Sequence, residues 1–177
     1  SDLTDFQDVT KEIKQVQPEG VVHLAGIAFV GHGNVNTFYD VNLLGTRNLL
    51  EALEKNAPNV RSLLLASSAN VYGNFSDGML NEDTKPEPIN DYAVSKLAME
   101  QMAKLWTGKL PFFIVRPFNY TGIGQDEKFL IPKIISHFKN KSTVIELGNL
   151  DIWREFNDVR LVVHIYRKKK KKCPVGE

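Results

Sequence analysis

A layered α/β fold built on a parallel, doubly wound sheet is the class this sequence predicts. Short unbroken apolar runs, such as Val21-Val22-His23-Leu24-Ala25 and Ser62-Leu63-Leu64-Leu65-Ala66-Ser67, mark strands covered on both faces. Between them lie longer segments whose apolar residues return at helical spacing. Strands that alternate with helices join in parallel, because each crossover must carry the chain back to the same end of the sheet.

The elements follow in order. Residues 5–17 predict a helix, with Thr4 or Asp5 as its cap and Pro18-Glu19-Gly20 as its stop. Residues 21–25 are the first strand. Residues 35–56 carry Val41, Leu44, Leu49, Ala52 and Leu53 near helical spacing, and Asn56-Ala57-Pro58-Asn59 closes that helix. Residues 62–67 are the second strand. A turn holding Pro86 and Pro88 leads into a helix over 91–107. Phe112-Phe113-Ile114-Val115-Arg116 is the third strand, halted by Pro117. A helix over 130–140, a strand over 143–147 and a helix near 157–166 complete the prediction.

Composition narrows the classes. At 177 residues the chain suits one domain with a sizeable core. A hydrophobic fraction of 42% and a charged fraction of 24% are ordinary for a globular protein. The net charge of +1 gives no global argument for nucleic acid or an acidic membrane surface. Cys173 stands alone, so it forms no internal disulfide and fits a reducing cytoplasm. No apolar run reaches the roughly 20 residues of a membrane span. The opening Ser1-Asp2-Leu3-Thr4-Asp5 does not read as a signal peptide. His23 and His32 read as structural or loop residues, and no His/Cys/Asp/Glu spacing suggests a metal.

The chemistry concentrates in Tyr92-Ala93-Val94-Ser95-Lys96, which lies 24 residues after Ser68. Positions i and i+4 share a helix face, so Tyr92 and Lys96 point the same way. A free phenol, with a pKa of about 10, exchanges protons poorly at neutral pH. A fixed positive charge nearby favours the phenolate and lowers that value. A serine hydroxyl can bond the same substrate oxygen, giving a proton-transfer site for a carbonyl/alcohol pair. Such a Tyr/Lys pair also occurs by chance on many helices. Placement adds weight: Gly26, Ser68 and Asn119 each follow a strand, and parallel sheets bind ligands beyond the carboxyl ends of their strands.

Several stretches, taken together and in order, resemble the extended short-chain dehydrogenase/reductase family, also described as NAD-dependent epimerases and dehydratases. They are Asp2-Leu3, His23-Leu24-Ala25-Gly26, Val41-Asn42-Leu43-Leu44-Gly45-Thr46, Ser67-Ser68-Ala69-Asn70-Val71-Tyr72-Gly73, the Tyr92/Lys96 motif and Arg116-Pro117-Phe118-Asn119. The resemblance spans roughly residues 2–166. Phe118–Gln125, Phe129–Lys133 and Leu147–Phe156 resemble the branch acting on GDP-linked 6-deoxy-4-keto sugars, which includes a 4,6-dehydratase and a 4-keto reductase.

The resemblance implies a Rossmann-like sheet lacking its first strands. Residues 1–125 would be a partial dinucleotide-binding domain and 126–177 a partial substrate-binding region. It implies NADP or NAD as cofactor, NADPH being favoured, and a GDP-linked deoxy sugar as substrate. Ser68, Tyr92 and Lys96 would be catalytic. Asp2 and Leu3 would meet the adenine, and Leu24, Ala25 and Gly26 would pass beneath the cofactor. Asn42 would support Lys96 through backbone and water, and Pro117 and Phe118 would line the nicotinamide wall. Asn119, Leu130, Lys133 and Arg154 would hold the nucleotide diphosphate. Each also has a plain alternative: a strand-ending glycine, core packing, a solvated lysine or a surface ion pair. The resemblance also implies a cytoplasmic homodimer paired through the helices at 35–56 and 91–107.

Residue 70 separates the branch members. The dehydratases resembled here place an acid two positions after the catalytic Ser/Thr, where it removes the sugar C5 proton. Asn70 stands there instead, and an amide is no base near neutral pH. The reading is therefore a 4-keto reductase, with Asn70 contacting substrate. An epimerase or dehydratase of the same family and a non-catalytic fragment are the alternatives. The family's glycine-rich pyrophosphate turn is not found in this sequence; Gly31-His32-Gly33-Asn34 follows the wrong strand and has the wrong spacing. Roughly 55–60 residues of a βαβαβ half would precede the present start. At the other end, Arg167 and Lys168–Lys172 offer no apolar position, and Leu161 replaces an acid usual in the family. A cationic run of this kind repels itself and cannot face a core. A nucleic-acid or nuclear-import patch and a damaged or truncated segment are the two readings of it.

Overall fold

The computed structural model describes residues 1–28, 34–74, 78–148 and 154–171. His32, Trp153, Lys172 and Cys173 lie outside them, as do Gly31 and Gly33 of the glycine cluster. The chain divides into two compact units, one of Ser1–Pro117 with the segment from Tyr166 onward, the other of Phe118–Ile165.

The first unit is built on a parallel three-stranded sheet of β1 (Gly20–His23), β2 (Ser62–Ala66) and β3 (Phe112–Val115), ordered β1-β2-β3. Register is direct: Val22 pairs with Leu64, and Leu64 with Phe113. Helix α1 (Phe6–Val16) precedes β1. The Asp5 carboxylate caps it, accepting from the Gln7 and Asp8 amides at 2.8 and 3.1 Å. It stops one residue before the predicted Pro18, at Gln17, whose φ of 47° is left-handed.

A long helix joins β1 to β2 in three runs: α2 (Asn36–Phe38), a π-helix (Tyr39–Gly45) and α3 (Thr46–Asn56). The sequence predicts a regular helix here, and the widened turns are a departure from it. Within them the Thr46 hydroxyl donates to the Asn42 carbonyl at 2.8 Å, while the Asn42 side chain turns out of the helix to the loop after β1. Such π-turns concentrate at functional positions.

After β2 the chain turns at once into a 3₁₀-helix (Ala69–Tyr72) capped by Ser68, whose Oγ accepts from the Asn70 amide at 3.2 Å. Helix α4 (Asp91–Ala103) follows, with Asn90 as cap, and a 3₁₀-turn (Lys104–Trp106) extends it close to the predicted end. Crossovers between parallel strands are right-handed, so α3 and α4 lie on one face of the sheet. There Leu49, Leu50 and Leu53 of α3 and Met99 of α4 bury against Leu63, Leu65 and Phe112, and Val9 of α1 joins the same core. A fully buried leucine contributes about 1.5–3 kcal/mol. Leu50, Leu53, Leu63 and Leu65 are all completely buried. On the other face Val22 is 44% exposed.

The second unit holds β4 (Asn119–Thr121) paired in parallel with β5 (Phe156–Asp158), then α5 (Leu130–Lys139) and the start of α6 (Val159–Lys171). Two expectations are corrected here. Residues 143–147 form no strand; the Glu146 carbonyl instead accepts from Lys133 Nζ at 2.6 Å. The polar run from Arg167 does not end the last helix, which continues to Lys171 because a solvated helix needs no apolar face there.

Candidate active site

The end of β1, the π-helix and α4 meet in the first unit. Lys96 is 6% exposed, and its ammonium donates to the Ala66 carbonyl at the end of β2 at 2.9 Å. Burial pushes its pKa down to about 8. Gly26 lies against it. A Cβ there would stand 2.8 Å from Asn42 Oδ1 and 3.1 Å from Lys96 Nζ, so only glycine lets the backbone come this close. Asn42 is fully buried. Its amide oxygen accepts from the Ile27 N–H at 2.9 Å; its NH₂ donates to the Ile27 carbonyl at 3.1 Å and to Ser95 Oγ at 3.0 Å. Ser95 Oγ in turn donates to the Tyr92 carbonyl at 2.8 Å. One side chain thus ties the loop after β1 to the first turn of α4.

Tyr92 is 8% exposed and stands one turn ahead of Lys96 on α4. Its ring packs on Phe38 with centroids 6.1 Å apart and planes at 60°. Ser68 is 8% exposed and lies two residues beyond the Ala66 that holds Lys96. Asn70 follows within the 3₁₀-helix, half-buried. At the helix start, Tyr39 donates to the Asp91 carboxylate at 2.8 Å, and that hydrogen bond holds the Tyr39 pKa up.

His23, read from sequence as structural, is buried beneath this group. Its Nε2 lies 2.8 Å from Thr46 Oγ1. That hydroxyl spends its proton on the Asn42 carbonyl, so His23 is assigned as the neutral tautomer that donates from Nε2. Burial, aided by the Lys96 charge, pushes its pKa down to about 4.

The other expected residues fall in two places. Asp2 and Leu3 sit in the first unit: Asn48 donates to the Leu3 carbonyl at 2.9 Å, and Leu3 packs where Gly45 leaves room. The Thr4 amide, bonded to the Asp2 carboxylate, lowers its pKa. Leu24, Ala25 and Gly26 run exposed beyond β1, and Pro117 is half-buried beyond β3. Phe118, Asn119, Leu130, Lys133 and Arg154 belong to the second unit. There Asn119 donates to the Glu155 carbonyl at 3.2 Å, Leu130 opens α5, and Arg154 lies exposed just before β5. Among the described residues no group of His, Cys, Asp and Glu could hold a metal. Sequence reasoning missed Ser95 and Thr46; only the i−4 spacing of Thr46 to Asn42 hinted at either.

Residues 1–170 match the NAD dependent epimerase/dehydratase family. The chain belongs to that family. A GDP-6-deoxy-D-talose 4-dehydrogenase of Aggregatibacter actinomycetemcomitans is 39% identical over 89% of this chain and 54% of its own length. A GDP-6-deoxy-D-mannose reductase of Pseudomonas aeruginosa is 36% identical over 84% of this chain and 52% of its own. The solved structure of RMD from P. aeruginosa, complexed with NADPH, superposes with a TM-score of 0.85 at 32% identity, covering 96% of this chain and 60% of that one. The chain therefore spans about half the length of the curated relatives it matches. The fold is the Rossmann-type α/β fold of these family members.

Proposed function

We propose that this chain is the catalytic part of an NAD(P)-dependent nucleotide-sugar oxidoreductase that reduces the 4-keto group of a GDP-linked 6-deoxy-hexose. The observation that carries the reading is the buried Lys96 ammonium, held at the end of β2 beside Ser68 and one turn from Tyr92. Relatives named for GDP-6-deoxy sugars support the substrate class.

The residues present fit the nicotinamide end of a dinucleotide. Gly26 leaves no room for a side chain, the exposed Leu24-Ala25-Gly26 backbone can lie against a flat ring, and Lys96 has three donors of which one goes to Ala66. Lys96, Asn42 and Pro117 would hold that end, with Asp2 and Leu3 at the adenine. When bound there, NADPH would be the source of the hydride that the sugar C4 carbon receives. Tyr92 gives its phenolic proton to the C4 oxygen as charge builds there. Lys96 stabilises the phenolate left behind, and Ser68 Oγ–H holds the C4 oxygen of the sugar. Asn70 contacts the sugar and cannot take the C5 proton, which favours reduction over loss of water. Asn119, Leu130, Lys133 and Arg154 hold the nucleotide diphosphate, Arg154 through a forked contact. Leu44 and Val94, 50% and 38% exposed on the two long helices, support a homodimer paired there. The single cysteine supports a cytoplasmic setting, and no helix among the described residues is long and apolar enough to cross a membrane.

The test is the full-length enzyme with GDP-4-keto-6-deoxy-mannose and NADPH. Loss of NADPH absorbance is expected, and Tyr92→Phe should cut turnover about 10²–10⁴-fold while cofactor still binds. Interconversion of 4-epimers without net cofactor use would make the protein an epimerase. Loss of water from GDP-mannose would make it a dehydratase. No binding of NADPH at millimolar concentration would leave a non-catalytic module.

A further inference from the structure

Behind the proposed catalytic residues lies a second polar group that the reduction does not use. Arg116 follows β3, and its guanidinium forks onto the Glu100 carboxylate, Nε to Oε1 at 2.9 Å and Nη2 to Oε2 at 2.6 Å. Its Nη1 donates to the Tyr72 hydroxyl at 2.9 Å. Glu100 is 3% exposed and Tyr72 5%. These three partners stand in a fixed relation to the proposed catalytic set. Glu100 is one helical turn beyond Lys96 on the same face of α4. Tyr72 ends the short 3₁₀-helix that Ser68 begins. Arg116 extends β3, which pairs along β2 up to Ala66.

We propose that Arg116 is a positioning residue: its three-way contact with Glu100 and Tyr72 fixes the distance between the helix carrying Lys96 and Tyr92 and the turn carrying Ser68. Its consequence for turnover rests on the reductase reading. Helix α4 is fastened to the sheet at two successive turns, by Lys96 to Ala66 and by Glu100 to Arg116. Stability alone is a poor reason for the second fastening. A buried ion pair is often no better than well-packed apolar residues of similar size. What a planar fork supplies, and an apolar contact does not, is one defined spacing and angle. Lysine in place of Arg116 could reach one oxygen but could not hold the carboxylate and the phenol together.

The experiment uses the full-length protein with both charges removed, Glu100→Leu with Arg116→Met, so that neither is left buried alone. The double variant should fold and bind NADPH with KM changed less than roughly threefold. Its kcat should fall roughly 10–100-fold, the scale that misplacement of about 1 Å produces. In NMR of ¹⁵Nζ-lysine-labelled protein, the Lys96 midpoint should move from about 8 back toward its ordinary 10.5 as water enters beside the loosened helix. An unmoved Lys96 titration overturns the inference whatever the turnover does, and so does an unchanged kcat in an enzyme that Tyr92→Phe inactivates. If Tyr92→Phe leaves turnover intact, the reductase reading fails and the Lys96 titration alone decides the positioning role. Should the double variant not fold, Arg116→Lys is judged by the same two readouts, with smaller changes expected in the same directions.

Discussion

Replacing His23 by glutamine should remove a specific part of this protein's sensitivity to acid. Glutamine can still donate to Thr46 Oγ1 from its amide nitrogen, but it does not titrate. In the folded chain His23 stays neutral down to about pH 4, whereas its ordinary value is 6.5. Between those values the unfolded chain binds a proton that the folded chain refuses. Stability then rises with pH, and it is lost as pH falls through the same window. Each pH unit in which one proton is so withheld is worth ~1.4 kcal/mol, so the full window costs about 3 kcal/mol. Urea unfolding at pH 7.5, 6.5, 5.5 and 4.5 reads this directly from the midpoint and slope. Wild type should lose roughly 2–3 kcal/mol more than His23→Gln between pH 6.5 and 4.5, and the two should run parallel above pH 7. Other carboxylates titrate in this range but do so in both proteins, so the difference isolates His23. Parallel curves throughout would refute the buried neutral imidazole and the tautomer assigned to it.

Three further substitutions probe the same region. Gly26→Ala drives a methyl group against Asn42 Oδ1 and Lys96 Nζ; it should weaken NADPH binding about tenfold or more by calorimetry, and normal affinity would mean that the loop is free to move away. Asn42→Ala leaves the Ile27 N–H and carbonyl and Ser95 without their partner, and should cost about 2–4 kcal/mol in urea unfolding; a loss below ~0.5 kcal/mol would show that those groups find water instead. Gly73→Ala meets two obstacles at once, a φ of +70° and the Glu87 carbonyl pressed against the new methyl, and should lower the melting temperature by several degrees; an unaltered thermal scan would contradict the turn as described.

Much of the first unit was legible because its signals are local. Asp5 caps its helix by bonding amides two and three residues away, so the cap chemistry is complete within a few positions. The strands at 20–23, 62–66 and 112–115 carry enough consecutive apolar residues to read as buried. The i, i+4 relation of Tyr92 and Lys96 needs only helix geometry. The second unit was less legible. Its strands β4 and β5 are three residues each, too short for any periodicity, and each forms only because the other lies beside it. The short run Thr143-Val144-Ile145-Glu146-Leu147 suggested a strand that finds no such partner among the described residues.

By itself the sequence determined the order of helices and strands, the parallel sheet and the spacing of the Ser68, Tyr92 and Lys96 motif. Those follow from periodicity and from residues a turn apart. Tertiary structure alone decided the π-helix around Asn42, the neutral state of His23, the lowered Lys96 and the Arg116 fork. Each depends on a partner far along the chain: Ile27 is 15 residues from Asn42, Ser95 is 53, and Tyr72 is 44 from Arg116. A side chain's protonation and a helix's local winding answer to the polar groups packed around them, and chain folding, not local spacing, chooses those neighbours.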